Sequence, residues 1–149
     1  MVSLVPQMDM SNRTDVVINE AMALLRSGHV IAAVDVLERL RVEEEQNWSG
    51  KETASWNLAR SFAANMAGNY SEASHFAEQA ALVRPDEAFL WHSSAHFAEQ
   101  AKDYKRCTFL LSKARCAATW WTDEDTRRMC EEMETRMASL IKDEDSHQG

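Results

Sequence analysis

The sequence has few of the residues that break regular structure. Only 4 Gly and 2 Pro occur among 149 residues, about a third of average usage. β-Sandwiches and barrels need many turn residues, so this scarcity predicts a fold built from long helices. Hydrophobic residues make up 45% of the chain, which supplies apolar surface for a packed core and argues against a wholly disordered chain. The length predicts about one domain.

Basic charge is scarce as well. The chain has 16 Lys and Arg against 24 Asp and Glu, a formal net charge of −8. Nucleic-acid binding needs clustered cations for phosphate contacts, so we expect no nucleic-acid partner. No apolar run approaches the roughly 18 residues of a membrane span, and Met1–Met10 lacks the basic and apolar regions of a secretory signal. These absences predict a cytoplasmic protein without membrane insertion.

Cysteine occurs three times, at Cys107, Cys116 and Cys130. The number is odd and no two form a CxxC pair, which is typical of a reducing compartment rather than of a disulfide framework. We interpret all three as small buried hydrophobic residues. A catalytic thiol at Cys107 is the remote alternative, because no neighbouring residue in the sequence would clearly lower its pKa.

A period of 34 residues runs through the middle of the chain. Each unit consists of a helix, a tight turn and a second helix, and small residues recur where two antiparallel helices would approach closely. A single helical pair buries too little surface alone, so stacking of the units supplies the core. The matching pairs are Ala64 and Ala98, Ala67 and Ala101, Asn69-Tyr70 and Asp103-Tyr104, Ala73 and Cys107, and Ala80 and Ala114.

The segment from Gly68 through Tyr70 and Ala73 to Pro85 resembles the second half of a tetratricopeptide repeat (TPR). A second copy spans 91–114, with Lys102 in place of the turn glycine, and a weaker copy spans 15–45. The closing proline is absent from both of these copies. Extra residues within 46–51 separate the copy at 15–45 from the copy that follows it along the chain. The resemblance covers roughly residues 14–119. It implies an all-α fold: a superhelical array of three TPR-like helical hairpins with a C-terminal capping helix.

Capping signals and hydrophobic periodicity predict the limits of the elements. We expect a flexible N-terminus at residues 1–11, a single TPR domain at 12–141 and a flexible acidic tail at 142–149. Within the domain, repeats are predicted at about 14–47, 54–87 and 88–121, followed by the capping helix at 122–141. The predicted helices are 14–27, 30–45, 51–67, 70–83, 87–101, 104–117 and 123–141, with Asp86 as the N-cap of the fifth.

In a TPR array the first helix of each hairpin lines a concave face, and the resemblance places that face on three stretches of this chain. The face is apolar in the middle and polar at one end, which suits an apolar peptide segment of a partner. The amides of Asn19 and Asn65 could hold the backbone of that peptide. Met22, Leu58 and Phe62 could alternatively belong to the core between repeats. The implied groove residues are Asn19, Met22, Arg26, Ser55, Leu58, Ala59, Phe62, Asn65, Met66, Phe89, His92, Ser93, His96 and Glu99, with Ile18, Leu25 and Gln100 beside them.

One known class of TPR ligand is not expected. Cochaperone TPR domains hold acidic C-terminal tails with a clamp of Lys, Asn and Arg, and the matching positions here carry no cation. The net charge of −8 would also repel an acidic tail. The matching positions are Ile18, Met22, Ala59, Phe89 and Ser93. We instead expect the substitution Phe62→Glu to abolish partner binding and to leave the helices intact.

Motifs for chemistry are sparse. His92 and His96 lie four residues apart with Glu99 three further on, which could hold zinc, but residue 93 is Ser where the HExxH signature needs Glu. We interpret the pair as groove polarity that becomes cationic near pH 6. No GxSxG elbow and no glycine-rich phosphate loop occur. We therefore expect no catalytic residue, no metal and no cofactor.

Three further patterns concern packing. Trp56 and Trp91 are interpreted as packing residues, and Trp120-Trp121 as a buried pair that locks the capping helix or, alternatively, as a surface hot spot. Glu43-Glu44-Glu45 is interpreted as a solvated charge run. A methionine-rich stripe on the last helix is interpreted as the cap packing on the third repeat, or alternatively as an adaptable partner surface. The stripe consists of Met129, Cys130, Met133, Met137, Leu140 and Ile141.

In size, acidic charge and repeat count the chain is similar to class II chaperones of bacterial type III secretion, which guard hydrophobic translocator proteins. The resemblance implies a non-enzymatic cytosolic chaperone that holds an apolar segment of a translocator- or effector-type partner in its groove. A scaffold or adaptor subunit of a multiprotein assembly is the alternative, and a metal- or thiol-dependent enzyme is the remote one. The terminal helices could also support a homodimer.

Overall fold

The structure is a computed structural model that describes the backbone of residues 10–148 and the side chains of residues 13–143. Regular structure in that part of the chain is entirely helical, which confirms the all-α prediction. None of the described helices is both long enough and apolar enough to cross a membrane. Short 3₁₀ turns lie at Glu45–Asn47 and Ala118–Trp121. The α-helices are α1 (Met10–Arg26), α2 (Val30–Glu44), α3 (Gly50–Met66), α4 (Tyr70–Val83), α5 (Ala88–Gln100), α6 (Tyr104–Arg115) and α7 (Glu124–Gln148).

The predicted helix limits agree with the observed ones within two residues, except at the two ends of the chain. Helix α1 begins at Met10, so residues 10 and 11 of the predicted flexible N-terminus are helical, and residues 1–9 lie outside the described part. Helix α7 continues to Gln148, so the tail predicted as flexible is helical over 142–148. That stretch contains Lys and Glu, which favour helix, and no Gly or Pro that would end α7 earlier.

Each hairpin, α1–α2, α3–α4 and α5–α6, closes with the same turn. Gly28, Gly68 and Lys102 occupy equivalent positions with φ of 83°, 81° and 62°. The following amide bonds back into the first helix each time, at 2.8 Å, 2.8 Å and 3.0 Å, the pattern of a Schellman turn. Glycine adopts this left-handed conformation without strain, whereas Lys102 places a Cβ in it. The repeated backbone geometry is direct structural support for a helical-hairpin array.

Successive helices pack against one another along the chain, and α1 also contacts α3 while α5 also contacts α7. Small residues lie at the crossing of the two helices in each hairpin. Ala33, Ala73 and Cys107 are all fully buried, so the backbones approach closely at these points. One core cluster joins α1, α2 and α3, and a second joins α5, α6 and α7 with residues from α3 and α4. The packing explains why the repeat spacing is visible in the sequence.

Helix α7 closes the array at its C-terminal end. Cys130, Met133 and Met137 are buried in the second cluster, and Met129 is 40% exposed. Arg115 of α6 makes a bidentate ion pair with Glu134 of α7, with both N···O distances 2.6 Å. Most of the methionine stripe is therefore core of the cap rather than free surface.

The tryptophans divide in a way that the sequence analysis did not predict. Trp56 and Trp91 are buried, and their indole N–H groups donate to the carbonyls of Leu37 and Pro85 at 2.7 Å and 3.0 Å. Trp120 is also buried, but Trp121 is 78% exposed. The prediction of a buried pair is wrong for Trp121, because consecutive residues of a 3₁₀ turn point in different directions.

Two local predictions are corrected at the helix ends. Glu44 is buried rather than solvated, and Arg13 of α1 forms an ion pair with it and with Glu43. This guanidinium offsets the unfavourable placement of acids at the negative end of the α2 dipole. The N-cap of α5 is Glu87 instead of Asp86, and the first amide, at Ala88, donates to the Thr119 hydroxyl at 2.8 Å.

A candidate protein-binding surface on the first helices

The implied groove residues lie on α1, α3 and α5, the first helices of the three hairpins. Ala59, Ile18 and Leu25 are buried and belong to the core, which corrects their assignment to the groove. The remaining groove residues are half-buried or exposed. We call these the first-helix surface: Asn19, Met22, Arg26, Ser55, Leu58, Phe62, Asn65, Met66, Phe89, His92, Ser93, His96 and Glu99.

A cleft between α3 and α5 brings part of this surface together. Ser55 and Leu58 of α3 face Phe89 of α5 across a cavity of about 140 Å³, and Ala54 and Leu90 complete its apolar walls. A dry cavity of about 150 Å³ can hold a benzene molecule, so this cleft has room for one apolar side chain.

The rim of the same cleft was missed from the sequence. Arg84 and Glu87 line it, and their side chains form an ion pair at 3.5 Å. Both residues belong to the connection between α4 and α5, where helical periodicity carries no information. The proline at position 85 marked the connection but not its contribution to the cleft.

Aromatic rings connect α3 to the polar part of α5. The Phe62 and Phe97 ring centroids are 6.3 Å apart, those of Phe97 and His96 are 5.5 Å apart, and those of His96 and His92 are 6.4 Å apart. Phe97 is buried and was not predicted as part of the surface. The contact with the buried Phe97 therefore fixes the Phe62 ring against the core.

Three apolar groove residues could alternatively belong to the core between repeats, and the structure places them at the boundary of core and surface. Met22, Leu58 and Phe62 are each half-buried and each packs against a core cluster. Phe62 contacts both the first cluster and a small cluster around Phe97. These side chains therefore support the core and line the surface at the same time.

Glu99 is held in place from the capping helix. Arg136 of α7 donates to both of its carboxylate oxygens, at 2.9 Å and 3.1 Å. Arg136 was missed because the two residues are 37 positions apart and no periodic signal links them. The single acid among the residues of the first-helix surface is thus neutralised within the protein.

Comparison with known proteins adds no assignment. No protein-family model matches the chain, and no curated protein shows significant similarity to it. The chemistry of the first-helix surface is therefore the basis for any function.

The arrangement around His92 and His96 does not favour binding of a metal ion. Within the described residues, no group of three or more His, Cys, Asp and Glu side chains is arranged to hold a metal ion. Glu99, the third member of the candidate zinc site, is engaged by Arg136. Burial lowers the pKa of His92, and the charges of His96 and Arg136 lower it further. This opposes the expectation that His92 becomes cationic near pH 6.

His92 makes stability depend on pH in a defined direction. The unfolded chain binds a proton at His92 more readily than the folded chain, because the folded pKa lies below the ordinary 6.5. We expect the free energy of unfolding to fall as the pH drops below about 6.5 until it passes the folded pKa. Urea unfolding at pH 7.5 and pH 5.0 measures this loss, which His92→Gln should reduce. The exposed His75 on α4 provides the matched control, since His75→Gln makes the same substitution at a position that is not buried.

The three thiols differ in accessibility. Cys107 and Cys130 are buried, and burial raises the pKa of each to about 12, which opposes a thiolate nucleophile at neutral pH. The Cys107 thiol also approaches the Met133 sulfur at 3.4 Å. Cys116 is exposed, so the interpretation of all three cysteines as buried is wrong for this residue.

Thiol labelling tests this arrangement. A maleimide at pH 7 should modify one thiol quickly in the folded protein and all three in guanidinium chloride. Mass spectrometry of the folded sample should place the label on Cys116, and Cys116→Ser should abolish fast labelling. Rapid modification of Cys107 in the folded protein would contradict the buried position of that thiol.

Proposed function

We propose that the chain is a non-enzymatic protein-binding module that holds an apolar segment of another protein on the first-helix surface. The observation that carries this proposal is the open cleft between α3 and α5, where the exposed Phe89 and the half-buried Leu58 face one another. A cleft with apolar walls and a polar rim is the usual form of a site for a single anchoring side chain.

The energetics favour a few anchors surrounded by polar contacts. Phe89 is 40% exposed and Met66 is 47% exposed, and covering either side chain contributes about 1–2 kcal/mol. The side chains of Asn19, Asn65 and Ser55 can hydrogen-bond to the backbone of an extended segment. Such a surface binds through the apolar side chains and sets the register through the polar ones.

The 34-residue period and the repeated turn support the TPR family as the specific form of this helical array. Three hairpins, a capping helix and a charge of −8 are in keeping with a cytoplasmic chaperone of the type that guards type III secretion translocators or effectors. In that role the net negative charge of the chain would keep a complex with an apolar partner soluble. A scaffold or adaptor subunit would use the same surface in a stable assembly.

Site-specific photo-crosslinking tests the proposal. A photoreactive phenylalanine analogue is placed at position 89, in the cleft, or at the control position 109. Phe109 is 51% exposed on α6 and lies outside the first-helix surface. In the cells that naturally produce the chain, position 89 should crosslink to a defined partner peptide and position 109 should not. Mass spectrometry identifies that peptide.

The identity of the crosslinked partner separates the two roles. One secreted partner with an apolar segment at position 89 supports the chaperone, whereas components of a cytosolic or envelope complex support the scaffold. Crosslinking only from position 109 would move the binding site to the outer helices and overturn the proposal.

A further inference from the structure

On α1, the face that belongs to the first-helix surface has an acid toward the N-terminus and a cation at the C-terminal end. Asp15, Asn19, Met22 and Arg26 are spaced four, three and four residues apart on α1 and therefore follow one face of the helix. At a rise of 1.5 Å per residue, Asp15 and Arg26 are separated by about 16 Å along the axis. Asp15 extends the first-helix surface by one turn toward the N-terminus.

Neither charge is satisfied within the part of the chain that the structure describes. The ion pairs of α1 there are those of Arg13, with Glu43 and Glu44, and they leave Asp15 and Arg26 without a partner. Elsewhere on the surface, Glu99 is paired with Arg136, and at the rim of the cleft Glu87 is paired with Arg84. Among the described side chains, the surface thus has one acid and one cation without an ion-pair partner, in a chain whose net charge is −8.

Apolar side chains lie between these charges. Met22 is on α1 itself, and it packs with Phe62 of the adjacent α3 against the same core cluster. A ligand that lies along this strip meets an acid, then the Asn19 amide and the apolar side chains of Met22 and Phe62, then a cation. The ligand that is complementary to this order is itself apolar in the middle and oppositely charged at its ends.

We propose that the first-helix surface selects an extended apolar segment that carries a basic side chain against Asp15 and an acidic side chain against Arg26. At about 3.3 Å per extended residue, a separation of about 16 Å corresponds to five residues of the partner. This inference rests on the proposed function and adds the chemistry of its ligand. The two charges fix the direction in which the segment lies, which an apolar strip alone does not do.

The charges of Asp15 and Arg26 affect the choice between ligands more than the affinity for the best ligand. Exposed ion pairs contribute little individually, but a like charge in the same place is repelled, so the ranking of ligands changes more than the best affinity. Arg26 lies in the last turn of α1, where a cation also complements the helix dipole. If Asp15 and Arg26 had a purely structural role, reversing their charges would alter stability. If they recognise the ligand, reversing either charge changes the ligand charge that the surface prefers.

Four peptide display libraries provide the probe. Each contains 12-residue peptides in which two fixed positions five residues apart flank randomised apolar residues. The fixed pair is one Lys and one Asp in either order, two Lys, two Asp or two Ser. Affinities of the selected peptides are measured by fluorescence anisotropy for the unmodified chain, for Arg26→Glu and for Asp15→Lys. Lys105→Glu is the matched control, because Lys105 is exposed on α6 and outside this surface.

The unmodified chain should bind Lys/Asp peptides about fivefold more tightly than Ser/Ser peptides, as two exposed ion pairs would allow. Arg26→Glu should shift the preference to Lys/Lys peptides and Asp15→Lys should shift it to Asp/Asp peptides, while Lys105→Glu should leave the ranking unchanged. Equal affinity for all four libraries, or a ranking that Arg26→Glu does not alter, would overturn the inference and leave the proposed function standing. Failure to select any peptide whose binding is lost in Phe89→Glu would overturn both.

Discussion

Replacing Trp120 with alanine is expected to lower the free energy of unfolding by about 3–5 kcal/mol. The side chain is 2% exposed and lies in the cluster that joins α5, α6 and α7. The Arg115 guanidinium lies 4.9 Å from the ring centroid, so the substitution also removes a cation–π contact. For a chain of this size the loss corresponds to a decrease of about 10 °C in Tm. Guanidinium chloride unfolding followed by circular dichroism measures the effect.

The neighbouring tryptophan is the matched control. Trp121 is 78% exposed, and its ring contacts the Arg127 guanidinium at 5.5 Å. Trp121→Ala should change the free energy of unfolding by less than about 0.5 kcal/mol, since surface substitutions away from special features have small effects. Equal losses from the two substitutions would show that Trp121 also packs in the core and would contradict the observed division.

The same pair shows where sequence reasoning ends. Both tryptophans have the same chemistry and lie in a 3₁₀ turn of four residues, too short for hydrophobic periodicity to choose the inward one. Cys116 lies in the same connection between α6 and α7 and was misjudged for the same reason. Glu44 was misjudged because Arg13, the cation that permits its burial, comes from another helix.

The regular part of the fold was predictable because each hairpin repeats the same physical constraints. A residue in the left-handed conformation closes the turn at Gly28, Gly68 and Lys102, and a small residue follows at the helix crossing. The spacing between these features is visible in the sequence even where Lys102 replaces glycine. Tertiary packing preserved the turn there despite the less favourable residue.

The candidate surface was predictable for a different reason. Residues three and four positions apart share a helix face, so the exposed stripes of α3 and α5 follow from periodicity once the helices are known. The rim of the cleft and the partner of Glu99 come from a connection and from α7, and they depend on how the helices pack. Spacing in the sequence carries no information on such contacts.

Polar contacts between the second and third hairpins fix the position of α4 relative to α5. The hydroxyls of Ser74 and Ser94 each donate to the backbone carbonyl of the other residue, at 2.9 Å and 2.8 Å. Arg106 of α6 donates to the Ser74 hydroxyl and pairs with Glu78 at 2.6 Å. Satisfied buried networks of this kind specify one packing arrangement. Helix α5, which carries Phe89 and His92, is therefore presented on a rigid support, as a binding surface requires.

The substitution Phe62→Glu is expected to lower the free energy of unfolding by about 2–3 kcal/mol, less than the roughly 3–5 kcal/mol for a fully buried aromatic side chain, because Phe62 is half-buried. Phe62 packs against two core clusters and against Phe97, and a carboxylate in that place would lose these apolar contacts and be partly desolvated. This revises the expectation from the sequence that the substitution leaves the fold unaffected. Urea unfolding monitored by circular dichroism measures the loss.

Phe89→Glu separates binding from folding. Phe89 is 40% exposed at the first turn of α5, where an acid is favourable toward the helix dipole. We expect this variant to keep its stability within about 1 kcal/mol and to lose partner binding at least tenfold, because the charge enters the mouth of the apolar cleft. A Phe62→Glu variant as stable as the unmodified chain would contradict the packing of Phe62 against the two core clusters. A Phe89→Glu variant that binds its partner normally would show that the cleft between α3 and α5 is not where the apolar segment lies.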